Sequence, residues 1–146
     1  MKSASITAVA ELQVQLAHRP EGRGSGDENT VVKPIIEKLL ETIGFSSLDR
    51  VEQFKVNSKP SRRADFACRY PEQFKPPFFQ SPIDPFLLVE LKATNCQLSI
   101  EHKSYWQAFK QLKEQLLGNK STSANFGLLS NGWELQLFRR HNKVVH

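Results

Sequence analysis

The chain has 146 residues, of which 39% are hydrophobic and 24% are charged. This length fits one domain with a hydrophobic core but not two comfortable ones, and the composition excludes a chain too polar to fold. Twenty Lys and Arg residues against fifteen Asp and Glu residues give a net charge of +5. The resulting field favours a partner that carries phosphate groups, without identifying it.

The opening segment argues against secretion or membrane insertion. It has no uninterrupted apolar run like that of a signal peptide, and it falls short of the ~20 apolar residues that span a bilayer. We therefore expect a cytoplasmic protein with no membrane partner. Cys68 and Cys96 belong to no CxxC pair or Cys/His cluster, so neither a disulfide framework nor a zinc site is predicted.

Two helices are predicted first. Residues 4–18 carry apolar side chains at helical spacing, namely Ile6, Val9, Leu12 and Leu16. A Gly-rich connector follows, and it lacks the GK[ST] ending of a phosphate-binding loop. A second helix is predicted to end at Gly44, with its apolar side chains at Val32, Ile35, Leu39 and Ile43. Asp27 or Thr30 could cap it, and Pro34 predicts either a kink or a first turn near Thr30.

Three strands are predicted in the middle of the chain. Apolar and polar residues alternate in "VEQFKVN", which begins at Val51, and in "RRADFACRY", which begins at Arg62. A proline-rich loop separates them from "FLLVELKA", which begins at Phe86. The apolar run of this last segment is typical of a central strand.

The last third of the chain predicts one helix and a hairpin. The helix runs from about Ile100 to Leu117, and the strands "ANFGLLS" and "WELQLFRR" flank an Asn-Gly turn. The complete order is helix, helix, three strands, helix, two strands, which indicates an α/β fold. We expect a single domain over residues 1–146, with the leading helix and connector over 1–26 and the core over 27–140.

Glu90 and Lys92 follow the apolar run of the third predicted strand. Side chains two residues apart on a strand point to the same face, so these charges project together. Asp65 lies inside an earlier strand, where Asp is depleted. If the two strands pair, the carboxylates could hold Mg²⁺, which needs few protein ligands and keeps several waters. A cation and an ammonium group at one point suit the hydrolysis of a phosphodiester.

A purely structural explanation is also open. Glu-x-Lys on a strand is common as an exposed ion pair worth about 0.2–1 kcal/mol. Asp65 could likewise pair with a nearby arginine, and the candidates are Arg62, Arg63 and Arg69. The apolar run before Glu90 argues instead for burial, where an unpaired charge needs a partner or a metal ion.

Five segments of the chain, taken in order, carry a family resemblance: "ENTVVKPIIEKLLETIGF", "RRADFAC", "LLVELKATN", "WQAFKQL" and "FGLLSNGWELQLFRR". They resemble the N-terminal nuclease domain of type I restriction enzyme R subunits, within the PD-(D/E)xK restriction-endonuclease-like superfamily. The resemblance runs from about Asp27 to Arg140. It implies a restriction-endonuclease-like core, in which helices flank a central mixed sheet of about five strands.

The resemblance also implies roles for three side chains on the strands. Asp65 and Glu90 would be metal ligands for Mg²⁺ or Mn²⁺, and Lys92 would activate or position the attacking water. The proline that usually precedes the aspartate in the family is Ala64 here. This departure leaves the carboxylate in place.

Two helical positions complete the catalytic set that the resemblance implies. Glu28 would correspond to the acidic residue that joins the site from the first helix, although the helix dipole alone also favours an acid there. Gln107 falls at the Gln position of the family's Q-x-x-x-Y motif, while Gln111 stands where the Tyr is expected. These glutamines could also be ordinary solvent-facing residues of a helix.

Basic residues near the predicted site are candidates for nucleic-acid binding, and we select Arg62, Arg63, Lys103 and Lys110. Such side chains neutralise phosphates and position a duplex without reading its sequence. Charge on a surface helix more often serves only solvation.

The sequence therefore predicts a divalent-metal-dependent DNA endonuclease domain related to type I restriction R subunits, with RNA as an alternative substrate. R subunits also need ATP-driven motor domains, for which this chain has no Walker motif. Restriction-modification or motor subunits are therefore expected partners besides DNA. The alternative function is a non-catalytic nucleic-acid-binding module or assembly partner that retains the nuclease fold.

Overall fold

The computed structural model describes residues 10, 13, 27–55, 63–71, 76–80, 85–117, 124–141 and 144–145. Its helical elements are a π-helical turn over Glu28–Val32, helix α1 over Lys33–Thr42, a 3₁₀ turn over Ser47–Asp49 and helix α2 over Lys103–Leu117. Its strands are β1 over Arg50–Lys55, β2 over Arg63–Cys68, β3 over Leu87–Leu91, β4 over Phe126–Ser130, β5 over Leu135–His141 and β6 over Val144–Val145. The predicted helix over residues 4–18 and the connector after it lie outside the described residues, apart from Ala10 and Gln13.

The strands form one mixed sheet in which they follow one another in chain order. Neighbouring strands pair antiparallel except β3 and β4, which are parallel. Parallel neighbours need a crossover connection, and α2 lies in that connection. Because β6 has only two residues, the sheet consists in essence of β1 to β5. The predicted α/β class with a mixed sheet of about five strands is confirmed.

The two α-helices cover opposite faces of the sheet. On one face α1 packs against a core that includes Phe66, Val89 and Leu128. On the other face α2 packs against a second core that includes Leu88 and Leu129. Strand β3 lies between these cores, and all five of its residues are buried. Burial on both sides explains why its sequence is an apolar run instead of an alternation.

Helix α1 has boundaries close to the predicted ones. Pro34 is the second residue of α1, and a π-helical turn precedes α1 in place of a kink. Gly44 follows the last turn with a φ of +111°, and the Phe45 N–H group donates to the Leu40 carbonyl. Neither α1 nor any other helix of the described ranges is long and apolar enough to cross a membrane.

A buried ion pair joins the 3₁₀ turn to the end of β2. Arg69, the residue after β2, is 1% exposed. Its Nε donates to Asp49 Oδ1 at 3.1 Å, and its Nη2 donates to the Pro76 carbonyl at 2.7 Å. The Ser46 hydroxyl donates to the other carboxylate oxygen of Asp49. One positive and one negative charge therefore compensate each other inside the fold.

Candidate active site

Strands β2 and β3 separate at Asp65. The antiparallel register between them ends at the pair of Phe66 with Val89, and Asp65 is the next residue of β2. Its Oδ2 accepts a hydrogen bond from the Leu91 backbone N–H at 2.7 Å. The carboxylate thus occupies the place of a backbone carbonyl, and it bridges the strands where their backbones part.

Glu90 lies on β3 beside this separation and is 3% exposed. Its Oε1 accepts a hydrogen bond from Lys92 Nζ at 2.9 Å, and its Oε2 accepts one from Gln115 Nε2 at 2.9 Å. The predicted convergence of Glu90 and Lys92 is therefore observed, although Lys92 lies just beyond the end of β3. Helix α2 covers the carboxylate through Gln115.

Lys92 lies at the more open side of the group. Its Nζ donates a second hydrogen bond to Gln111 Oε1 at 2.7 Å, and its side chain is 22% exposed against 4% for Glu90. We refer to Asp65, Glu90, Lys92, Gln111 and Gln115 as the acid–lysine cluster. Solvent reaches the cluster beside the ammonium group, while the Glu90 carboxylate is enclosed.

The two acids of the cluster carry more negative charge than its one lysine compensates. Burial raises the pKa of Glu90 above its ordinary value, and the charge of Asp65 raises it further, against the opposing effects of Lys92 and Gln115. Burial also raises the pKa of Asp65, although the hydrogen bond from the Leu91 N–H group opposes this shift. A cation would relieve the repulsion between the two carboxylates.

The donor set suits a hard divalent cation with few protein ligands. Among the described residues, no group of three or more His, Cys, Asp or Glu side chains is arranged to hold a metal ion. Asp65 and Glu90 are the two carboxylates that could act as ligands, and water or a phosphate would supply the others. Mg²⁺ is commonly held in this way.

Glu28 adds negative charge from the π-helical turn. Its side chain is half-buried, and its charge contributes to the raised pKa of Asp65. Asp27 holds this turn in place because its buried carboxylate accepts hydrogen bonds from the Thr94 N–H group and hydroxyl. Asp27 occupies the N-cap position, as one of the two predicted caps, but its side chain makes no capping hydrogen bond. Its partner lies 67 residues away, beyond the reach of any local pattern.

Helix α2 contributes different glutamines from the one predicted. Gln107 is exposed, and its side chain makes no hydrogen bond within the described residues. Gln111 and Gln115, one and two turns further on, contact the cluster instead. Gln115 is 1% exposed and falls in the helical register of the buried Leu112 and Ala108. A glutamine at a core position of the helix is the sequence signal that could have identified it.

The structure excludes two of the three arginines that the sequence offered as partners of Asp65, Arg63 and Arg69, while Arg62 lies outside the described residues. Arg69 pairs with Asp49, and Asp65 has no arginine partner among the described residues. Its charge is met by backbone and amide N–H groups instead, since Gln53 Nε2 donates to Oδ1 at 3.3 Å. Among the described residues, Asp65 therefore forms no ion pair with an arginine.

The four predicted nucleic-acid-binding residues have different placements. Arg62 lies outside the described residues. Arg63 is exposed at the start of β2, and its carbonyl accepts a hydrogen bond from Gln115 Nε2 at 3.4 Å, so it adjoins the cluster. Lys103 and Lys110 are exposed on α2.

No protein-family model, curated protein or solved structure matches this chain. The class of protein is therefore defined by its fold and site alone. It is an α/β protein with a mixed sheet, in which a partly buried aspartate bridges two central strands where they separate, beside a buried glutamate that pairs with a lysine.

Proposed function

We propose that the chain is a divalent-metal-dependent nuclease domain with a restriction-endonuclease-like core, related to the N-terminal domains of type I restriction R subunits. The observation that carries the proposal is the convergence of Asp65, Glu90 and Lys92 at the separation of β2 and β3. The mixed sheet with helices on both faces and the order of the sequence motifs support it. DNA is the proposed substrate because the chain carries a net charge of +5.

Asp65 and Glu90 would hold Mg²⁺ or Mn²⁺ in this proposal. Their oxygen ligands suit a hard cation, and the excess negative charge of the cluster favours its binding. When bound, the cation would supply charge neutralisation at a phosphate oxygen and would acidify a water molecule. Each acid is already oriented by N–H donors of the chain, from Leu91 for Asp65 and from Gln115 for Glu90.

Lys92 would act at the reacting phosphate. An ammonium group has three N–H donors, and two of them are directed at Glu90 and Gln111. The third can hold the attacking water or a phosphate oxygen. The water oxygen bonds to phosphorus while the bond from phosphorus to the leaving oxygen breaks, and protons exchange with solvent. The positive charge of Lys92 stabilises the negative charge that gathers on the phosphate oxygens.

A plasmid-cleavage assay tests the proposal. Supercoiled plasmid incubated with the protein and Mg²⁺ is expected to be nicked or cut, and EDTA is expected to stop the reaction. Glu90→Ala and Lys92→Ala are each expected to lower the rate by about 10²–10³-fold, the usual cost of removing one group that stabilises developing charge. Glu101→Ala removes an exposed carboxylate and is the matched control. Cleavage that survives both cluster substitutions would contradict the mechanism.

A non-catalytic nucleic-acid-binding module is the second candidate. It is favoured by the observation that every carboxylate oxygen of Asp65 and Glu90 already accepts a hydrogen bond within the chain. Fluorescence anisotropy with labelled DNA and RNA duplexes, with and without Mg²⁺, separates the two functions. Tight binding that ignores Mg²⁺, without cleavage, indicates the module, whereas cleavage that requires Mg²⁺ indicates the nuclease.

A further inference from the structure

Strand β1 departs from regular geometry opposite Asp65. Gln53 has a φ of +53°, in the left-handed region, and it is the only non-glycine residue of the described chain with a positive φ. The residue pairs of β1 and β2 on both sides of this point follow the same register, but Gln53 and Asp65 do not form a pair. Because the offset is unchanged, no residue has been inserted and the irregularity is not a bulge.

Both strands change face at this pair. Residues three apart on a regular strand point to opposite faces of the sheet. Here Val51 and Phe54 of β1 both pack against the core on the α2 side, and Ala64 and Ala67 of β2 belong to that same core. The paired irregularity therefore turns the Asp65 side chain out of the ordinary pleat, to the place where it reaches β3.

Gln53 contacts Asp65 directly at this irregularity. The Gln53 amide Nε2 donates to Asp65 Oδ1 at 3.3 Å, while the Leu91 N–H group donates to Oδ2 at 2.7 Å. The two donors come from the two neighbours of β2, one on each side. Together they fix the rotation of the carboxylate, which a single donor would leave free to turn.

The glutamine at position 53 is informative because the backbone conformation there favours glycine. A residue with a Cβ atom is strained in the left-handed region, whereas glycine adopts it readily. An exposed glutamine in this conformation indicates that its side chain is needed. A neutral amide can orient a carboxylate oxygen without adding a positive charge, which would repel a cation bound at the same carboxylate.

We propose that Gln53 is a positioning residue that holds the Asp65 carboxylate in the orientation required for cation binding. This inference rests on the proposed nuclease function, in which Asp65 is a cation ligand. Gln53 itself contacts neither the cation nor the phosphate. Its contribution is the fixed direction of Asp65, and the backbone strain of β1 is tolerated for that reason.

The substitution Gln53→Gly separates this role from a structural one. It removes the amide and relaxes the left-handed backbone, so the midpoint temperature of unfolding is expected to stay the same or rise. The Mg²⁺ concentration for half-maximal cleavage is expected to rise about tenfold, as for other residues that orient a metal ligand. A merely structural glutamine would give a lower unfolding temperature and an unchanged Mg²⁺ dependence. Gln97→Gly, at an exposed position between β3 and α2, is the matched control.

A second readout does not require cleavage. In the ¹⁵N-labelled full chain, the Leu91 amide proton is expected to exchange faster with solvent in Gln53→Gly than in the wild type, because its acceptor is no longer held. Gln53→Asn is expected to behave alike, since Asn tolerates the left-handed conformation but is one methylene shorter. It also replaces the glycine variant if that variant does not fold.

The two readouts distinguish the two proposals. A wild-type protein that neither cleaves nucleic acid nor responds to Mg²⁺ would refute the nuclease function, and faster Leu91 exchange in the variants would still show that Gln53 orients Asp65. Unchanged Leu91 exchange together with an unchanged Mg²⁺ dependence would overturn the role of Gln53.

Discussion

A group of charged side chains lies near each end of strand β2, and the two groups differ in net charge. Beyond its last residue, Arg69 and Asp49 form a pair with equal and opposite charges. Near its first residue, Asp65 and Glu90 share the single positive charge of Lys92. A buried pair with no net charge does not attract a further ion, whereas the acid–lysine cluster carries excess negative charge that would attract a cation. The comparison separates a structural ion pair from a candidate active site.

The largest effect on stability is expected at the balanced pair. Arg69→Met should lower the free energy of unfolding by about 3–5 kcal/mol, because it leaves the buried Asp49 carboxylate without a counter-charge. Urea denaturation followed by tryptophan fluorescence measures this change. Arg139→Met, which removes an exposed arginine, should stay within about 0.5 kcal/mol of the wild type. A loss below about 1 kcal/mol for Arg69→Met would mean that the pair is not structural.

A smaller loss of stability is expected from the cluster side. Gln115→Met removes an amide donor to the charged Glu90, a bond worth about 1.5–3 kcal/mol. We expect the lower end of this range, because the substitution also removes Gln115 Oε1, a buried atom without a hydrogen-bond partner in the described structure. Gln107→Met changes an exposed glutamine of the same helix and should be within about 0.5 kcal/mol of the wild type. Urea denaturation of both variants measures their free energies of unfolding. Equal values would show that Gln115 does not belong to the acid–lysine cluster.

The elements that could be predicted from the sequence are those specified by local patterns. The apolar run of β3 identified a strand buried on both faces, and the two-residue spacing placed Glu90 with Lys92. The order of helices and strands was sufficient for the α/β class. The helix predicted from Ile100 begins later, at Lys103, but its end at Leu117 agrees.

The contacts that complete the site depend on pairings between distant segments. The alternation around Gln53 predicted an ordinary strand, and nothing local indicates its positive φ, which belongs to the joint irregularity with Asp65. Gln107 was predicted because it falls at the Gln position of the family's Q-x-x-x-Y motif. Three glutamines recur at four-residue spacing, and the helix rotates by about 40° over each such step. Only the packing of α2 on the sheet decides which of them faces Glu90.

A pH dependence of stability is expected at the balanced end of β2, where Cys68 precedes Arg69. Burial raises the pKa of the Cys68 thiol to about 12, and the nearby Arg50 opposes this shift. The unfolded thiol titrates near 8.5, so the folded state binds its proton more tightly. The stability that this adds is complete below pH ~8.5 and is lost as the pH rises towards 12.

Urea denaturation at pH 8 and at pH 11 measures this loss of stability. A thiol-labelling experiment at pH 8 tests the burial of Cys68 and the comparison together. Cys68 should react with a disulfide reagent only on unfolding, whereas the partly exposed Cys96 should react in the folded protein. Cys96→Ser isolates the Cys68 signal. Arg69→Met and Gln115→Met should both accelerate labelling of Cys68, because both lower the free energy of unfolding. The acceleration should be larger for Arg69→Met, which costs about 3–5 kcal/mol, than for Gln115→Met, which costs about 1.5 kcal/mol. Equal acceleration by both substitutions would show that the two ends of β2 open together. The two ends would then differ in net charge but not in stability.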